Sequence, residues 1–330
     1  MARRLGLALV LVGVLAAVLA PILAPHATDD RFPALLNAPP TRVHVIDGSG
    51  TWHAPFIHPW TLADRLTQRY EPDETVTVPL VWFSRTLVQS SFDRQAPLLL
   101  LGADSYGRDV FSRLLLGARV SLGLAVLAAA GSMLLGGLAG ALAGYAGGRT
   151  DGVLTGATDV VMVLPAMYVA LALRSVLPLV LAPFTVFVFL AAIFAVVGAP
   201  FVSRGVRGIV RTERRLEYAV AAASLGAGHA RLLCRHLLPA TRGFLAVEMT
   251  MLVPAFIVAE ATLSYVGLGF PEPVSSWGTM LHEASNIRTF TDFPWLLSPV
   301  GAIFLFVLGL NLVLEHGPAE GGHDVRSRSA

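Results

Sequence analysis

The chain has 330 residues, 55% of them apolar and 14% charged, with a formal net charge of +2 and a mean hydropathy of +0.66. Soluble domains carry about 25% charged residues, so this balance excludes a water-soluble globular enzyme and places the chain in a bilayer. Every basic residue is arginine and no lysine occurs; a phosphate loop of the form G-x-x-x-x-G-K-[ST] needs its lysine on the phosphates, so if ATP drives this protein, another chain hydrolyses it.

Arg3 and Arg4 precede an apolar run over 5–23, long enough to cross a hydrocarbon core at about 1.5 Å per residue. Secretory leaders use shorter apolar runs of about 7 to 15 residues, so 1–24 is expected to be a retained first helix. Its two arginines put the N-terminus in the cytoplasm. From 25 to 116 the composition turns to proline, aromatics, histidine and mixed charge, with no run able to span. This reads as an extracytoplasmic segment, and alternation over 75–81 suggests short strands. His44, His53 and His58 invite a metal reading, but no helix or hairpin register clearly joins them, so they read as surface histidines.

Near the end of that segment, LGADSYGRDVFSR sets Gly107, Arg108 and Asp109 ahead of Val110, Phe111, Leu114 and Leu115. The pattern fits an amphipathic interfacial helix with its Arg and Asp at headgroup level. A second span follows over 121–143, with Gly136, Gly140 and Gly144 every fourth residue. Glycines at that period flatten one helix face so that a neighbour approaches closely. A turn at Gly147-Gly148-Arg149-Thr150-Asp151 leads to a third span over 153–173 that carries Asp159 and Pro165. An intramembrane carboxylate costs about 2.5 to 3.5 kcal/mol on the insertion scale, so Asp159 is expected to face protein or water, in a salt bridge or cap before substrate contact. Arg174 and Pro178 mark the next turn, and 179–201 makes a fourth span.

Arg204, Arg207, Arg211, Arg214, Arg215, Arg231, Arg235 and Arg242 then crowd the stretch 216–239 against only Glu213 and Glu217. This is the strongest positive-inside signal in the chain. Clustered arginine also fits nucleic acid, but the flanking spans hold the stretch at a membrane face, and no nucleic-acid partner is expected. Tyr218, Ala221, Ala222 and Leu225 recur at helical spacing, and Gly226 follows where a helix ends in a left-handed turn. A second short helix is expected over 229–238, closed by Pro239, which can begin the next helix. Cys234, the single cysteine, forms no intrachain disulfide and reads as a packing residue. The fifth span, 243–265, holds Glu248, Pro254 and Glu260; glycines and prolines end it before a short amphipathic turn with Trp277 as interfacial belt residue. A last span over 296–314 carries Asn311 near its inner end, and the tail 315–330 reads as disordered.

Three of these stretches carry a family resemblance. Ala221-Ala222, Gly226 and Leu238-Pro239 resemble the EAA loop of ABC-importer permeases, with Val220 where that family often has Glu and Ala223 where it often has Arg. The stretch 101–122 resembles the LGTDxxGRDvxSRLlxGaRxSL signature of the peptide and nickel branch, and 263–281 resembles its LSFLGLGxxPPxxSWGxML signature. The long insert is similar to those of oligopeptide-type permeases, whereas the family's GDxLRDxxDP stretch is absent from the tail.

The resemblance implies an all-α, polytopic membrane protein of the type I ABC-importer permease fold. Six transmembrane helices, an extracytoplasmic insert over 25–116 and a core over 117–314 would sit in the cell inner membrane with both termini cytoplasmic. The implied partners are a second homologous permease, two ABC ATPase subunits, an extracytoplasmic solute-binding protein and membrane lipid. Glu217, Tyr218, Ala221, Ala222, Gly226, Ala227, Leu238 and Pro239 would form the ATPase-coupling surface. Asp159, Pro254 and Glu260 are candidates for the translocation path, and Gly107, Arg108, Asp109 and Trp277 for the outer interface. No catalytic residue, metal or cofactor of its own is expected, ATP being used by the partner subunits. The implied cargo is oligopeptides or dipeptides, with nickel chelates or oligosaccharides as alternatives. An intramembrane hydrolase would need a motif such as H-E-x-x-H or G-x-S-x-G, which the chain lacks. An ion-coupled secondary transporter would have to rest on Asp159 and Glu260.

Overall fold

The computed structural model describes all residues except 48–49, 85, 164–165, 177, 179–180, 286–290 and 316–330. In chain order the helices are α1 (Ala2–Leu23), α2 (Val110–Ala146), α3 (Gly148–Val163), α4 (Ala166–Val176), α5 (Pro183–Glu213), α6 (Glu217–Ser224), α7 (His229–Leu232), α8 (Arg242–Tyr265), α9 (Trp277–Glu283) and α10 (Ser298–Glu315). Among the described residues five helical stretches are long and apolar enough to cross a membrane, six if the bent pair α3 and α4 counts as one. Leu11, Val12 and Val18 on α1, and Leu134, Leu138 and Leu142 on α2, are exposed. Contiguous apolar surface on that scale is unfavourable in water and natural against acyl chains.

Helices α2 and α5 form the central pair. Gly136, Gly140 and Gly144 lie directly against the α5 backbone, and a Cβ on Gly144 would stand 2.6 Å from the Arg207 carbonyl oxygen. Higher up, Gly131 meets Ala195, where a Cβ would stand 2.7 Å away. The Ser132 hydroxyl donates to the Ala195 carbonyl at 3.1 Å, and Phe194 stacks on Phe256 of α8 at 5.3 Å. Helix α1 docks on α10, with Gly6 against Leu312 and Gly13 against Phe306, and packs on α2 as well.

The third span is not one straight helix. Gly148–Val163 and Tyr168–Val176 diverge by 92°. Pro165, which falls between them in sequence and has no N–H to continue a helix, lies outside the described residues. Asp159 on α3 pairs with Arg204 on α5 at 2.7 Å, and Asp151 accepts from Arg207, whose Nη2 stands 2.7 Å away. Arg204, Arg207 and Arg211 therefore belong to α5, which runs past the expected end of the fourth span to Glu213. Arg174, expected at a turn, is buried in the last turn of α4.

Between α1 and α2 the chain builds β structure that an all-helical description leaves out. Strands β1 (Val43–Ile46), β2 (Trp52–Ile57), β5 (Val78–Trp82) and β6 (Val88–Ser90) form one antiparallel sheet, and β3 (Trp60–Asp64) pairs with β4 (Arg69–Pro72) in another. Ile57, Val78, Leu80 and Leu98 make its small core. Pairing of His44 with Phe56 across β1 and β2 brings the His44 and His58 rings to 5.1 Å, against the expectation that no register joins them. Among the described residues no group of three or more His, Cys, Asp or Glu could hold a metal. The tail assigned to disorder begins with Glu315, which closes α10, and 316–330 lie outside the described residues.

The glycine stripe yields a paired prediction. Gly140→Leu places side-chain atoms on the Ser203 carbonyl, whereas Gly137 has nothing within 4 Å of an added Cβ. Overpacking costs about 1–3 kcal/mol, so Gly140→Leu should lower the unfolding temperature of the detergent-solubilised chain by several degrees. Gly137→Leu should leave it unchanged or raise it, and equal effects would remove the stripe from the interface.

Candidate functional site: the hairpin and the polar clamp

The described core carries functional candidates at its two ends, one built from a small-residue hairpin and the other from buried charge. At the first, α6 ends at a left-handed glycine. Gly226 has φ +84°, its N–H donates to the Ala223 carbonyl at 3.0 Å, and the Ala227 N–H donates to the Ala222 carbonyl at 3.1 Å. That pair of bonds satisfies carbonyls the helix leaves open and reverses the chain. Ala219 is buried, whereas Tyr218, Val220, Ala221 and Leu225 face outward, Leu225 being 89% exposed. Glu217 sits in the first turn of α6, where a carboxylate complements the helix dipole. The Tyr218 hydroxyl donates to Glu213 Oε2 at 2.5 Å. Burial first, and the Glu213 carboxylate second, push its phenol up to about 12.

The returning arm corrects the expected helix end. Helix α7 passes into a π turn at Leu233–Leu237, a 3-10 turn at Leu238–Thr241 and then α8. His229–Tyr265 is thus one helical stack, and Pro239 lies inside it. Proline removes one donor from the ladder, and the π and 3-10 turns at and before it depart from the regular spacing at that point. Leu232 and Leu237 root the arm in the core, while Cys234 is free and exposed, not packed.

Tyr145, in the last turn of α2, fastens the hairpin to the central pair. Its hydroxyl meets His229 Nδ1 at 2.5 Å, its carbonyl accepts from the Arg214 guanidinium, and its ring lies 5.1 Å from that guanidinium. Sequence reading passed over Tyr145; the available signal was a lone aromatic among Gly and Ala at a span end.

At the opposite end, the Arg and Asp residues expected on an interfacial helix are buried instead. No separate helix forms, because Asp109 caps α2 directly, accepting from Phe111 N at 3.0 Å and Ser112 N at 3.2 Å, and the helix then runs 37 residues without a break. Gly107 has φ +73°, and any Cβ there would strike the Phe32 carbonyl. Arg108 Nε donates to Asp104 at 2.8 Å and its Nη2 pairs with Glu283 at 2.9 Å. Arg113 also pairs with Asp104, donates from Nη2 to Glu283 at 2.9 Å and from Nε to Ser275 Oγ at 2.8 Å. His26 meets Asp109 and Asp93 at 3.0 Å each. Burial works against charge on His26, but the Asp109 and Asp93 carboxylates outweigh it and hold its pKa at about 9.

Glu260 is not on any open surface. At 1% exposure it accepts from Ser121 at 3.0 Å and from Ser264 and Ser276 at 2.7 Å. The Trp277 N–H in turn donates to Ser121 Oγ at 3.1 Å, and its indole donates to the Leu114 carbonyl at 3.0 Å. Trp277 is therefore a buried link between α2 and α9, 3% exposed, not a belt residue. Glu260 ties α2, α8 and the α9 start together, so it is withdrawn as a path-lining residue. Asp159 is engaged with Arg204, and Pro254 is half-buried within α8.

Residues 136–315, more than half of the chain, match the family model described as binding-protein-dependent transport system inner membrane component. The chain belongs to this family. It is therefore a multi-pass inner-membrane permease of the ABC-importer class, as the resemblance implied. The oligopeptide transport system permease protein OppC of Bacillus subtilis is 38% identical over 64% of this chain and 67% of its own length. The dipeptide transport system permease protein DppC of the same organism is 40% identical over 64% of both chains. The glutathione transport system permease protein GsiD of Pectobacterium atrosepticum is 36% identical over 64% of this chain and 68% of its own.

The His26 cluster sets a pH dependence. Its folded pKa lies above the unfolded value of 6.5, so its contribution is complete below pH 6.5 and disappears as pH rises through 9. Thermal unfolding in detergent should show the wild type losing up to about 3 kcal/mol across that window. His26→Gln should be flat there, and parallel profiles for the two proteins would contradict the assignment.

Proposed function

We propose that this chain is one of two permease subunits of an ATP-driven importer that takes oligopeptides or dipeptides from an extracytoplasmic solute-binding protein. The observation that carries the reading is the hairpin: a short helix with an exposed apolar tip, reversed at Gly226 and rooted in two spanning helices. Leu216, Tyr218, Val220 and Leu225 are all exposed within this one short stretch; exposed apolar residues gathered in one place mark an interaction surface, and the partner proposed to cover it is an ABC ATPase. The arginines around it support a cytoplasmic hairpin. With that orientation both termini lie inside and the β unit outside. The names of the oligopeptide, dipeptide and glutathione permease relatives support peptide cargo.

ATP binding and hydrolysis occur on the partner subunits, and this chain holds no cofactor. Closure of the ATPase pair pushes the hairpin; Tyr145 and Arg214 pass that displacement to α2 and α5, and the continuous stack from His229 passes it to α8. The Glu260 cluster keeps α2, α8 and α9 moving as one body at the far end. The face of α8 carrying Val247, Met251, Val258 and Tyr265 is exposed in the single chain and takes the path-lining or permease-facing role vacated by Glu260. Loaded binding protein and nucleotide must favour different states of this body, since equal affinity shifts nothing.

Gly226→Val forces a β-branched side chain onto φ +84°, a conformation such residues avoid. Membrane insertion should be retained and ATP-dependent peptide uptake by the reconstituted importer lost. Gly228→Val, at φ −64° with open space around it, should keep uptake. Normal uptake and normal ATPase coupling in Gly226→Val would refute the proposal.

A further inference from the structure

At the hairpin end a cavity of about 410 Å³ opens where α2 ends, α3 begins and α5 terminates. Gly144, Gly147 and Gly148 line it with bare backbone, and Arg211, Arg214 and Arg215 line it with guanidinium groups. Its one carboxylate, Asp151, is already held by Arg207, with Arg211 no nearer than 4.0 Å. Glu213 accepts from Tyr218, and among the described residues Arg215 has no ion-pair partner. The cavity therefore carries a surplus of positive charge. Gly147 and Gly148 sit at φ +68° and +55° with nothing within 4 Å of an added Cβ, so the first turn of α3 is open to it. The leading N–H groups of a helix have no partners in that helix and favour an anion.

The surroundings indicate where the anion comes from. Leu138 and Leu142 on α2 and Val153 on α3 are exposed, and the cavity begins immediately beyond them. Along α2 the exposed leucines stop at Leu142 and the arginine-lined cavity follows within a turn, the change from apolar to basic surroundings that marks headgroup level. An acidic protein segment would fill the charges and leave the adjoining leucines bare, whereas one molecule with a phosphate and acyl chains covers both.

We propose that this cavity binds the phosphate of an anionic phospholipid, with acyl chains over Leu142 and Val153. The lipid would pin the α2–α3 turn to the end of α5, three residues before the hairpin starts at Leu216. Assignment to the cytoplasmic leaflet rests on the orientation proposed above; the binding itself does not, and its test needs neither transport nor ATPase.

The test is native mass spectrometry of the purified full chain in detergent, titrated with dioleoyl phosphatidylglycerol or dioleoyl phosphatidylcholine. Phosphatidylglycerol should be retained preferentially. In Arg211→Gln/Arg215→Gln its affinity should fall on the order of thirtyfold, the loss expected for two arginines at a headgroup. Arg211→Lys/Arg215→Lys should stay within a few-fold of wild type, which separates lost charge from lost fold, and Arg94→Gln, on the β unit, should change nothing. Equal retention of the two lipids, or unchanged binding in the double glutamine variant, would overturn the proposal. Displacement of the lipid by inorganic phosphate at equal concentration would assign the cavity to a soluble anion and overturn the lipid assignment.

Discussion

The backbone-level approach of α2 to α5 is the constraint on which the rest of the molecule depends. In a bilayer an apolar helix face gains little from leaving lipid for another apolar face, so association needs contacts that acyl chains cannot match. Gly136, Gly140 and Gly144 supply them by letting the α5 backbone lie on the α2 surface. With that pair fixed, α5 carries Arg204 and Arg207 to α3 at one level and Arg214 to Tyr145 at the next. The hairpin hangs from this frame through Tyr145, the buried Ala219 face of α6 and the roots of its two arms.

The opposite end is held by charge. Arg108, Arg113 and Asp104 are almost fully buried, with Glu283 completing the network. Such a network is weak evidence for net stability, because desolvation offsets much of the attraction. Breaking it is another matter: a buried charge left without its partner costs about 3–5 kcal/mol. The clamp therefore acts as a specificity device, selecting the docking of the 272–283 segment on α2 that brings Glu272 and Glu283 to Arg108 and Glu283 to Arg113. The Glu260 cluster does the same beside it, where one carboxylate takes the hydroxyls of Ser121, Ser264 and Ser276.

Much of this was legible in the sequence. The apolar runs, the glycine period on α2, the left-handed stop at Gly226 and the arginine crowding all follow from local rules that the fold obeys. Legibility failed where tertiary partners decide. Arg108 and Asp109 look interfacial because nothing local predicts Glu283 or His26 arriving from elsewhere in the chain. Glu260 looks like a path residue because its serines come from three different segments, and Trp277 looks like a belt residue because its acceptor is a carbonyl of α2. Pro239 looks like a boundary because its missing donor is visible in the sequence and the π and 3-10 turns that accommodate it are not. The alternation over 75–81 does mark β5, but the other strands, three to six residues among prolines, carry too little periodicity to read.

The account turns on which side of the membrane the hairpin occupies, and the chain supplies its own probe: Cys234 is the single cysteine, exposed on the returning arm. With the chain expressed without partners, a membrane-impermeant maleimide should label Cys234 in inside-out vesicles and leave it unlabelled in intact cells. Labelling of Cys234 from outside intact cells would put the hairpin on the wrong face for an ATPase and contradict the account.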